Sequence, residues 1–169
     1  MIEEKFTGPM VWDAETPFPN DGIATLDDTC QAEIAAVAQL LRDNPLPTEA
    51  LMPGDFDMPA CKTVMEGVRE TVDNGTGFAV VDRLDVDGLG RDIATKIYWL
   101  LMSMTGRPVA QKWDGTMVYD VHDTGGKATP GSGIRSSKTN GGQGFHNDNA
   151  FNLPPDFVAL FCLQTAKKG

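Results

Sequence analysis

Two side chains in the stretch Gly144-Phe145-His146-Asn147-Asp148-Asn149-Ala150-Phe151 stand out for their chemistry: His146 and Asp148, two residues apart. On a β-strand, side chains at i and i+2 point to the same face. One imidazole and one carboxylate would then converge on a common point. That is two thirds of a 2-His-1-carboxylate facial triad, the usual cradle for non-haem Fe(II) with open coordination positions. The third ligand has to be another histidine. The chain has only one, His122. It lies upstream of the motif, beside Asp123, and reads as a strand-end or loop residue rather than a ligand.

Other chemistries are excluded. The cysteines Cys30, Cys61 and Cys162 show no CxxC spacing and are odd in number. They read as small buried hydrophobes in a reducing compartment. None has a base at motif spacing, which argues against a thiol nucleophile. The loop before the motif, about His122 to Gly144, has seven glycines (125, 126, 131, 133, 141, 142, 144) and the run Arg135-Ser136-Ser137-Lys138. It lacks the GxxxxGK[ST] signature and strand–loop–helix setting of a phosphate cradle. Loops this long inside a compact domain are commonly functional. Arg135, Ser137, Lys138 and Asn140 are its candidates for touching a substrate, Arg135 by pairing with a carboxylate.

The elements that must position these residues follow from periodicity. Residues 1–28 are irregular, with Trp12 and Phe18 suited to pin the arm to the body. Asp28 or Thr29 caps a helix from about Cys30 to Arg42, whose apolar positions Ile34, Val37, Ala38 and Leu41 have helical spacing. Four prolines (45, 47, 53, 59) mark a loop. A second helix begins near Pro59 with a stripe of Cys61, Val64, Met65, Val68 and Val72, and ends at Asn74-Gly75. Gly77 to Val81 reads as a short strand. Asp87 caps a third helix whose core face is Leu89, Ile93, Ile97, Leu100, Leu101 and Met104. Trp99 and Trp113 read as packed. After Pro108 the pattern turns to β. Strands are expected at Val109–Lys112 and Met117–Val121 around an Asp114-Gly115 turn, and a buried strand at Phe157–Leu163. Helices first and strands second is the signature of an α+β domain.

The chain has 169 residues, 41% hydrophobic and 22% charged, enough for one domain with a real core. Its net charge of −10 argues against nucleic acid and anionic membranes, which require basic patches. No window approaches a membrane span, and Met1-Ile2-Glu3-Glu4-Lys5 does not open a signal peptide. A cytoplasmic protein is expected.

Phe145 to Phe151, followed by Pro154-Pro155-Asp156-Phe157-Val158-Ala159-Leu160-Phe161-Cys162-Leu163-Gln164, resembles the Fe(II)/2-oxoglutarate-dependent oxygenases of the TauD/TfdA superfamily. The clavaminate synthase-like branch is the most similar. Gly115 to Val121 and Ser136-Ser137 resemble the strand and pre-motif loop of that branch. The likeness spans roughly Gly115 to Gly169, and residues 1–108 fit only in outline. It implies a helical N-terminal half followed by part of a double-stranded β-helix, or jelly-roll barrel, within a single domain 1–169. It implies that His146 and Asp148 bind Fe(II), with 2-oxoglutarate as cosubstrate and O2 as oxidant. The implied reaction is oxidation, by default hydroxylation, of an unactivated C–H bond in a small molecule such as an amino acid or secondary metabolite.

Two features of the family are missing. Its distal His and the Arg that pairs with 2-oxoglutarate lie well beyond the Asp, whereas only 21 residues follow Asp148 here. Thr165 comes too early for the family's 2-oxoglutarate-contacting Thr or Ser. The expectation is therefore an N-terminal half of a longer oxygenase-like sequence. A non-catalytic binding or assembly domain, or a half-enzyme completed by a second chain, are the alternatives.

Overall fold

The computed structural model describes residues 5–13, 22–127, 138–142, 146 and 154–165. By its contacts the chain divides into two units: Met1–Pro108 with Leu160–Gly169, and Val109–Ala159. The described elements make a mixed, mostly helical α+β protein with one small parallel sheet.

The first unit is built on helices. α1 (Asp28–Asp43) starts within an Asp27-Asp28-Thr29 run in which any of three side chains is a good N-cap. Asp27 takes the position, because its carboxylate reaches the amide of Cys30 at 2.9 Å. That hydrogen bond holds its pKa below the ordinary aspartate range. α2 (Pro59–Asn74) opens on Pro59, whose missing N–H costs nothing in a first turn. It buries Cys61, Met65 and Val68. Val64 and Val72, on the same stripe, are half-buried.

The expected third helix is two. α3 (Val86–Leu89) is capped by Asp85, which accepts from the Gly88 amide at 3.0 Å. α4 (Arg91–Thr105) follows after Gly90. The φ of +76° at Gly90 breaks the helical path there, a conformation that glycine adopts without steric cost. The cap is Asp85 rather than Asp87.

α4 is central and packs on α1, α2 and α3. Its Ile93, Ala94, Ile97, Leu100 and Leu101 are buried, as are Leu41 of α1 and Met65 of α2. The indole of Trp99, also buried, donates to the Leu51 carbonyl at 3.0 Å and ties the loop before α2 to α4. Lys96 lies inside this face, its stem buried and its ammonium turned to the exposed Asp92 at 2.7 Å. Arg69 on α2 donates to the Thr105 carbonyl at 3.3 Å, satisfying one of the last acceptors of α4.

Two strands complete the unit. β1 (Ile23–Ala24) pairs in parallel with β2 (Val80–Val81), in register Ile23 with Val80 and Ala24 with Val81. The indole of Trp12 donates to the Thr76 carbonyl at 3.1 Å and meets Phe78 edge-on at 5.3 Å. Trp12 thus pins the arm as expected. Phe18, the other residue expected to do so, lies outside the described residues.

The β-rich half differs from expectation. Neither 109–112 nor 117–121 forms a strand. The turn between them does form: the Gly115 amide reaches the Lys112 carbonyl at 3.1 Å, and that of Gln111 reaches Thr116 at 2.7 Å. Asp114 fixes it by accepting from the hydroxyl and amide of Thr116 at 2.6 and 3.0 Å, which lowers its pKa. Turn chemistry is local and survives alone, whereas a strand needs a buried face, and no residue of 109–127 is buried. Trp113, expected to pack, is 99% exposed.

The expected strand 157–163 is not one either. Its alternation persists only in part: Phe157, Phe161 and Leu163 are half-buried, while Val158, Ala159, Leu160 and Cys162 are exposed, Leu160 at 85%. A fully buried strand needs a layer on both faces. Here one side is covered: Phe161 stacks on Tyr98 of α4, centroids 5.1 Å apart. The burial there pushes the Tyr98 hydroxyl pKa up. Cys162 is therefore a surface thiol, not a core residue.

Candidate metal centre

The residues read as ligands or substrate contacts, Arg135, Ser137, Lys138, Asn140, His146 and Asp148, all belong to the second unit, as does His122. The approach to them is organised by backbone hydrogen bonding. Asp123 accepts from the Gly125 amide at 2.7 Å, closing a tight turn with Gly125 at φ +77°. Thr124 then spends both its donors on one acceptor, the Lys138 carbonyl: its amide at 3.0 Å and its hydroxyl at 2.9 Å. These two bonds close the glycine-rich excursion at its base, joining residues 14 apart. Thr124 was not singled out from sequence, although Asp123-Thr124-Gly125 carries a turn signature.

Beyond this closure, the Gly141 amide bonds the Thr139 hydroxyl at 3.3 Å, and Asn140 is exposed. His146 is exposed as well, and so is His122. Asp148, Arg135 and Ser137 lie outside the described residues, so the convergence of His146 and Asp148 stands as a deduction from spacing. Among the described residues no group of three His, Cys, Asp or Glu side chains is placed to hold a metal. The donor types at 146 and 148, one imidazole and one carboxylate, are those that suit Fe(II). Cys30 and Cys61 are buried on α1 and α2 of the first unit.

The first unit contains one arrangement that sequence reading missed. Glu33 of α1 reaches the N-terminus of α2, where its two oxygens each accept a backbone amide, from Ala60 and Cys61, both at 2.9 Å. Met58, at the cap position, makes no side-chain cap bond, so Glu33 does that work from another helix. Desolvation acts to raise the Glu33 pKa, but the two amides outweigh it and the net shift is downward. No local signal marks this, because donor and acceptor are 27 residues apart.

Among the described residues no helix is long and apolar enough to cross a membrane. No protein-family model matches the chain, and no curated protein matches it.

Proposed function

We propose that this chain carries the first two metal ligands of a non-haem Fe(II)/2-oxoglutarate-dependent dioxygenase of the TauD/TfdA type. The observation that carries the reading is the His146-Asn147-Asp148 spacing, set between phenylalanines and followed by Pro154-Pro155 and the apolar run 157–163. In this reading the extended run and the β-patterned 109–121 belong to a jelly-roll barrel. His146 supplies a neutral imidazole and Asp148 a carboxylate to Fe(II). Arg135 would pair with a substrate carboxylate, and Ser137 and Asn140 would hydrogen-bond its polar groups. The pinned base at Thr124 and Lys138 would set where these residues are presented. When bound, Fe(II) with 2-oxoglutarate and O2 would supply oxidation of an unactivated C–H bond, 2-oxoglutarate leaving as succinate and CO2. The second imidazole and the 2-oxoglutarate-binding Arg would come from a downstream segment or a second chain. Substrate and reaction outcome follow from those parts as well.

The test is anaerobic Fe(II) binding, read by competition with a chromophoric chelator, on the parent and on the double variant His146→Ala/Asp148→Ala. The double variant should bind at least about tenfold more weakly, the scale on which metal sites respond even to loss of supporting groups. Equal binding by the two proteins would remove His146 and Asp148 as ligands. A non-catalytic oxygenase-like binding or assembly domain would then be the better reading.

A further inference from the structure

We propose that Cys30 and Cys61 form a conditional staple between α1 and α2, reduced while the helices are docked and convertible to a disulfide by a hydroperoxide. Both thiols are fully buried and sit in the first turns of their helices. The Cys61 thiol donates to the Cys30 carbonyl at 3.6 Å, which places the two residues against each other. The juxtaposition is held in register. Glu33, one turn after Cys30, grips the amides of Ala60 and Cys61 and fixes the start of α2 against α1. The third cysteine, Cys162, is exposed and stands outside this pair.

The same surroundings keep the docked pair quiet. Burial first, and then the Glu33 carboxylate, push the Cys61 thiol far above its ordinary pKa. Burial, and then Asp27, raise that of Cys30. The thiolate is the reactive form, so oxidation proceeds when the α1–α2 contact opens. One sulfur attacks the peroxide, the O–O bond breaks, and a sulfenic acid and water (or an alcohol) form. The second thiol displaces hydroxide from that sulfenic sulfur, the S–S bond forms, and a second water leaves. Two electrons pass from sulfur to oxygen, and both thiol protons end in the products. The bond then joins positions 31 apart in sequence, constraining the unfolded chain.

The experiment uses the full chain with Cys162→Ser, so that Cys30 and Cys61 are the only thiols. It is treated with hydrogen peroxide in sub-denaturing urea and returned to buffer. The expected product has lost two hydrogens, yields one cross-linked peptide joining Cys30 to Cys61, and keeps its helical circular dichroism. Its Tm should lie several degrees above that of the reduced protein and return on treatment with dithiothreitol. A cross-linked product with a lowered Tm or lost helicity would show that the docked geometry does not accept the bond. Sulfinic acids in place of the cross-link would likewise overturn the proposal. Peptide mapping of this one protein decides the matter even if Cys30→Ser or Cys61→Ser variants fail to fold.

Discussion

At the scale of single residues, the first unit is stabilised by side chains that complete helix ends. Glu33 shows how. Replacing it with Ala leaves the Ala60 and Cys61 amides without their partner, and should cost about 1–2 kcal/mol in urea denaturation. The pH dependence follows from the downward pKa shift. A carboxylate whose folded pKa is depressed stabilises fully above its unfolded value, and the contribution is lost as pH falls through the folded value. The stability gap between parent and Glu33→Gln should therefore be widest near neutral pH and close below the ordinary glutamate range. Melting curves for the two proteins across that range check this, and a gap that widened in acid would contradict it.

At the scale of elements, α4 organises the helical unit. Leu100→Ala, at a fully buried side chain of α4, should cost about 2–5 kcal/mol. Leu40→Ala, at a side chain 53% exposed on α1, should stay within about 0.5 kcal/mol. Comparable losses at both positions would mean that the α1 and α4 faces are assigned wrongly. The α4 face was legible because apolar spacing at 3.6 residues survives any neighbour. The break at Gly90 was not, since glycine inside a helical pattern is often tolerated and only its φ of +76° decides.

At the scale of the whole molecule, the two units differ in how their backbones are protected. Slow amide exchange is expected in α1, α2 and α4, whose buried faces hold the core. Residues 109–127, with no buried side chain, should exchange orders of magnitude faster. Protection across 109–112 and 117–121 equal to that of α4 would show that those segments form strands in solution.

Local rules were enough for the helices, their approximate ends and the Asp114-Gly115 turn. A helix satisfies its own backbone and displays its periodicity within one segment. A turn needs only its own residues. The segments 109–112, 117–121 and 157–163 form no strands here, because alternation states which face an extended chain would bury without supplying the layer that buries it. Tertiary structure alone decided the Glu33 bridge, the Cys30–Cys61 contact, the exposure of Trp113 and Cys162, and the closure of the loop at Thr124 and Lys138. Each depends on groups distant in sequence meeting in space, and no local pattern encodes such a meeting.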